Sequence, residues 1–106
     1  MTDKWLIFAG TIEGRLLAEF CSEQKIPAVV CVATEYGEEL VDSIKGVEIK
    51  KGRLEEFQME ELIENISPIG VIDATHPYAN VVTENIKDAC KAKNAIYYRL
   101  VRDNGG

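Results

Sequence analysis

Two short strings concentrate the residues that can do chemistry. Gly10-Thr11-Ile12-Glu13-Gly14-Arg15 follows the apolar run Trp5–Ala9 and opens a helical pattern. A glycine here lets the backbone turn sharply and a ligand approach closely. The first N–H groups of the following helix then offer its positive end to an anion such as a phosphate. On that reading Thr11 adds a hydroxyl, Arg15 reaches a phosphate or ribose, and Gly14 permits close helix-to-sheet packing. The competing reading is an ordinary βα turn, because the string is not a full G-x-G-x-x-G fingerprint.

The second string, Asp73-Ala74-Thr75-His76-Pro77-Tyr78-Ala79, gathers an acid, a hydroxyl, the only histidine and a phenol. Each has a structural reading: Asp73 accepting from loop amides, Thr75 capping a helix, His76 a satisfied loop residue, Tyr78 a packing residue. Their coincidence in one loop favours a functional reading. Pro77 suits the first position of a helix capped by Thr75 or His76.

These strings are positioned by a strand–helix rhythm. Apolar runs at Trp5–Ala9, Ala28–Ala33, Val47–Lys50, Val71–Ala74 and Ala95–Leu100 read as five strands. Helical stripes lie between them: Leu16, Leu17, Phe20 and Cys21; Leu40, Val41 and Ile44; Met59, Leu62, Ile63 and Ile66; Val82, Ile86, Ala89 and Cys90. Gly46 fits as a helix stop. The alternation predicts an α/β fold, Rossmann-like or flavodoxin-like, with a parallel five-stranded sheet and helices on both faces. Right-handed crossovers give the order 3-2-1-4-5, so the carboxyl ends of strands 1 and 4 define the ligand crevice. Both strings then face that crevice. The tail Arg102–Gly106 has no pattern and reads as frayed.

The chain has 106 residues, enough for a single domain over 1–106. A net charge of −6 leaves no cation excess for a nucleic-acid surface. No apolar run approaches the roughly 20 residues of a membrane span, and no signal peptide is visible. Cys21, Cys31 and Cys90 are widely spaced within apolar patterns, which reads as packing in a reducing compartment, most simply the cytoplasm, with no metal site.

Taken together, the motifs resemble precorrin-6A reductase, including its cobalt-precorrin-6A form. The resemblance rests on Gly10-Thr11-x-Glu13-Gly14-Arg15, Thr34-Glu35-Tyr36-Gly37, Gly52-Arg53-Leu54, Asp73–Ala79, and Tyr98-Arg99-Leu100 with Arg102. It implies NADPH-dependent reduction of a ring double bond of precorrin-6A to precorrin-6B, on the corrin route to cobalamin. It also implies two α/β domains with dinucleotide and tetrapyrrole meeting between them, this chain matching only the N-terminal one. Carried over, Gly10, Thr11, Glu13, Gly14 and Arg15 shape the pyrophosphate turn. Thr34, Tyr36 and Gly37 lie at the adenosine end, and Arg53 meets cofactor or substrate carboxylates. Asp73, Thr75, His76 and Tyr78 line the cleft beside nicotinamide and macrocycle, with His76 first choice for proton supply. Glu35 is discordant, because an acid about 20 residues past the glycine turn ordinarily selects NAD over NADP. Pointing outward, it would remove the conflict.

Other readings weigh less. A phosphoacceptor receiver needs acids ending strands 1 and 3, where the chain has Ala9-Gly10 and Lys50-Lys51-Gly52. A short-chain dehydrogenase needs Tyr-x-x-x-Lys, and no tyrosine has lysine four residues on. A stand-alone dinucleotide-binding or sensor domain without turnover is the remaining alternative.

Overall fold

The computed structural model describes residues 3–101; the tail Arg102–Gly106 and the Arg102 of the family signature lie outside the described residues. Five strands, β1 (Trp5–Phe8), β2 (Ala28–Val32), β3 (Glu48–Lys51), β4 (Val71–Asp73) and β5 (Tyr97–Arg99), alternate with four helices. These are α1 (Ile12–Glu23), α2 (Glu35–Val41), α3 (Glu56–Ile66) and α4 (Asn80–Ala92). Every strand pair is parallel and the order is β3-β2-β1-β4-β5, as the alternation predicts.

The central strands are apolar on both sides because helices cover both sides. Leu6, Phe8, Val29, Cys31 and Val71 face α3 and α4, packing on Met59, Ile63, Ile86 and Ala89. Ile7, Ala9, Val30 and Val32 face α1 and α2, packing on Ala18, Cys21 and Val41. A one-residue slip in any strand would exchange these two sets, so the register is strongly specified.

Three local expectations differ from the structure. In α1 the buried residues are Gly14, Ala18 and Cys21, while Leu16 and Phe20 are exposed. The helix sits on its small residues, because only they allow close approach to the sheet. Helix α2 ends at Val41, so Ile44 packs from a turn beyond it, and Gly46 (φ +84°) turns the chain toward β3 without ending the helix. Helix α4 begins at Asn80 with Ala79 as its cap residue and no side-chain cap. Pro77 instead occupies the second position of a turn closed by the Ala79 N–H on the His76 carbonyl (2.9 Å), where its fixed φ is favourable.

Candidate functional site

Strands β1 and β4 are neighbours whose connections run to opposite sides of the sheet, so a crevice opens beyond their carboxyl ends. Gly10 leaves β1 at φ +142°, a conformation that favours glycine, and a Cβ placed there would project into open space. Gly14 has the opposite constraint. Its Cβ would come within 2.8 Å of the Ala9 Cβ and 3.4 Å of the Ala74 Cβ, so α1 can approach both strand ends only with glycine here.

Thr11 is the cap of α1, its Oγ1 accepting from the Gly14 N–H at 3.2 Å. The same hydroxyl donates to the Ala74 carbonyl at 2.6 Å and so ties the glycine turn to the β4–α4 loop. Between them lies an open cleft of about 340 Å³, bordered by Gly10, Thr11, Glu13, Tyr36, Thr75 and His76. The positive end of α1 faces this cleft, with acidic Glu13 in its first turn.

The second string is organised by Asp73, which is fully buried at the end of β4. Its Oδ1 accepts from the Thr75 N–H (3.0 Å), the Thr75 hydroxyl (2.6 Å) and Arg99 Nη1 (3.2 Å). Its Oδ2 accepts from the Thr83 hydroxyl and the Tyr97 phenol, each at 2.8 Å. Burial opposes the charge, but the hydrogen bonds from Thr75, Tyr97 and Thr83 outweigh it and hold the carboxyl below its ordinary value of 3.8. Burial and the same carboxylate push the Tyr97 phenol well above its usual range. Arg99 also donates to the carbonyls of Asp73 (2.9 Å), Thr75 (3.0 Å) and His76 (3.4 Å), clamping the loop from β5.

The expected site residues therefore separate. Thr75 and His76 border the cleft; the Asp73 carboxylate does not, because its network turns it inward toward α4 and β5. Thr75 caps no helix, since its hydroxyl is drawn to that buried charge. His76 Nδ1 accepts the Tyr78 N–H at 3.1 Å, which puts the proton of the neutral ring on Nε2. Tyr78 is 84% exposed, its ring 5.3 Å from that of His76.

Arg15 points away from the glycine turn: Nη1 donates to the Leu40 carbonyl (2.9 Å) and Nη2 approaches Glu19 (3.4 Å), fastening α1 to α2. Thr34 caps α2 through the Gly37 N–H (3.0 Å), and Gly37 packs beneath it against Val32. Tyr36 borders the cleft, whereas Glu35 is exposed in the first turn of α2 and borders neither cavity at this end of the sheet. The second cavity is an apolar slot on the α3 side, bordered by Cys31, Val32, Leu54, Met59 and Val82, with Arg53 at its rim. Thr75 borders both.

Thr83, Tyr97 and Arg99 are the residues that sequence reasoning left without a role. A signal existed: an acid ending an apolar strand needs partners, and β5 pairs Asp73 with Arg99 and Val71 with Tyr97. The cysteines are all buried; burial pushes the Cys31 thiol up to about 12 and the Cys90 thiol up to about 11. No helix among the described residues is long and apolar enough to cross a membrane.

Comparison with known proteins fits this geometry. The family model for precorrin-6x reductase CbiJ/CobK matches residues 4–105. The cobalt-precorrin-6A reductase of Salmonella typhimurium is 34% identical over 97 residues, which are 92% of this chain and 36% of that protein. That of Methanothermobacter thermautotrophicus is 29% identical over 98 residues, 92% of this chain and 32% of that protein. The solved structure of CobK precorrin-6A reductase superposes with a TM-score of 0.83 at 25% identity, covering 97% of this chain and 40% of that one. The chain thus spans roughly a third of the length of the curated relatives it matches. On the family match over residues 4–105, this chain belongs to the precorrin-6x reductase CbiJ/CobK family.

Proposed function

We propose that this chain is the nucleotide-binding domain of a two-domain reductase that uses NADPH to convert precorrin-6A, or its cobalt-containing form, to precorrin-6B. The observation that carries the reading is the cleft between the Gly10 turn and the β4–α4 loop at the β1/β4 switch point. Open space over Gly10 and the positive end of α1 suit a pyrophosphate. The apolar slot beside Val32, Leu54 and Val82 suits the flat face of an adenine, with Arg53 at its rim for a 2′-phosphate. Glu35 borders neither cavity, so it raises no objection to a 2′-phosphate.

When bound, NADPH supplies the hydride for the ring double bond. The chain's own residues hold, orient and protonate. Gly10 and the first turn of α1 fix the phosphates, and the Thr11–Ala74 bond holds that turn against the opposite loop. His76 takes up a solvent proton at Nδ1 in place of the Tyr78 N–H bond and passes its Nε2 proton to the ring carbon next to the one receiving hydride, so that H⁻ and H⁺ together saturate the bond. Asp73 and Arg99 act as positioning residues that keep the His76 loop rigid. A second domain supplies the facing wall for the tetrapyrrole.

Titration calorimetry with NADPH and NADH tests the cofactor reading on the chain itself. NADPH should bind more tightly, and Arg53→Ala should narrow the difference. Absence of heat with both nucleotides would overturn the proposal.

A further inference from the structure

One side of the sheet carries an apolar surface that the nucleotide reading does not use. Helices α1 and α2 cover β1 to β3 on that side, while Ile72 of β4 and Tyr98 of β5 line an open groove with Trp5 and Leu17. Parallel sheets are normally covered on both faces, and α4 already packs on the other face of β4.

The flank of α1 continues the surface. Arg15 and Ser22 bond to the Leu40 and Lys45 carbonyls on the α2 side. At 3.6 residues per turn, Leu17 and Phe20 then fall on the opposite flank, toward the groove, while Leu16 lies on the outer face, opposite buried Gly14, Ala18 and Cys21. Phe20 is 51% exposed, so this part of the α1 stripe is not used as core. The floor is shaped for contact. A Cβ on Gly70 would sit 2.6 Å from the Trp5 ring and 3.0 Å from the Tyr98 ring, so the glycine lets both aromatics lie across the sheet. Their centroids are 6.0 Å apart. Contiguous apolar surface of this kind marks an interaction site.

We infer that this face is covered by an amphipathic helix from the part of the full-length reductase that residues 4–105 do not represent. The solved relative superposes on 97% of this chain with only 40% of its own length, and the curated relatives are about three times as long as the matched segment. Ample polypeptide therefore exists to supply the helix. A chain leaving β5 finds the α4 side occupied and this side open. The helix packs its apolar face on Trp5, Ile72 and Tyr98 and abuts Leu17 and Phe20. It joins the two parts of the enzyme through a surface remote from the cleft.

The test compares the 106-residue chain with a chimera in which residues 4–105 replace the matched segment of the Salmonella relative. Hydroxyl-radical footprinting should show modification of Trp5, Phe20 and Tyr98 falling several-fold in the chimera. The variant Phe20→Glu should leave the melting temperature of the short chain unchanged within about 2 °C, and lower that of the chimera by about 5 °C or more. Equal footprints in both proteins would overturn the inference. So would protection already present in the short chain that rises with its concentration, which would assign the face to a second copy. Neither readout involves a nucleotide, so failure here is distinguishable from failure of the NADPH reading.

Discussion

The Thr11 hydroxyl donates a 2.6 Å hydrogen bond to the Ala74 carbonyl across 63 residues of sequence, joining the glycine turn after β1 to the β4–α4 loop. The same oxygen accepts the Gly14 N–H and so caps α1. Thr11→Val keeps the shape but loses both bonds. It should destabilise the domain by about 1–2 kcal/mol in urea unfolding, whereas Thr11→Ser should stay near wild type.

Gly10 and Gly14 should respond to substitution in different ways. A Cβ at Gly10 meets no atom within 4 Å, so the main cost of Gly10→Val is backbone strain of about 1–3 kcal/mol at φ +142°. Because its side chain would enter the cleft, nucleotide binding should be lost from a folded protein. Gly14→Val would drive a methyl-bearing Cβ into Ala9 and lift α1, costing about 1–3 kcal/mol from overpacking. Thermal melts paired with calorimetry separate the two.

Asp73 predicts a defined acid sensitivity. Its folded carboxyl lies below the ordinary value of 3.8, so its contribution is fully present above about pH 4 and drains away as pH falls toward the folded value. Unfolding curves recorded between pH 6 and 2 should show this loss in the wild type and not in Asp73→Asn. Asp73→Ala leaves Tyr97, Thr83 and Arg99 without their shared acceptor and should cost about 3–5 kcal/mol.

His76 should matter to turnover more than to stability, since its ring is exposed. In a chain carrying the second domain, His76→Phe should lower kcat by about 100-fold or more if it supplies the proton, with the KM for NADPH little changed. An unchanged kcat would move proton supply to solvent or to the other domain.

The strand order was legible because each apolar run has a helical stripe beside it, and right-handed crossovers leave few arrangements. Gly10 and Gly14 were legible because turns and close packing select glycine. The α1 stripe misled because Leu16 and Phe20 are apolar without being core in this chain. Pro77 misled because a proline suits a turn as readily as the start of a helix. The Asp73 network was hidden by distance: Thr83 and Tyr97 lie 10 and 24 residues away, and the packing of α4 beside β4 and the pairing of β4 with β5 bring them in. Arg15 looked like a phosphate ligand, yet nothing local revealed that the Leu40 carbonyl lies within its reach.

Amide chemical-shift mapping of the labelled chain during an NADPH titration tests the central claim most directly. The account predicts the largest shifts at Gly10 to Gly14 and at Thr75 and His76, flanking the cleft, with a smaller set at Gly52 and Arg53. Shifts confined to the opposite, amino ends of the strands, around Lys4, Ile69 and Asn94, or no shifts at all, would contradict it.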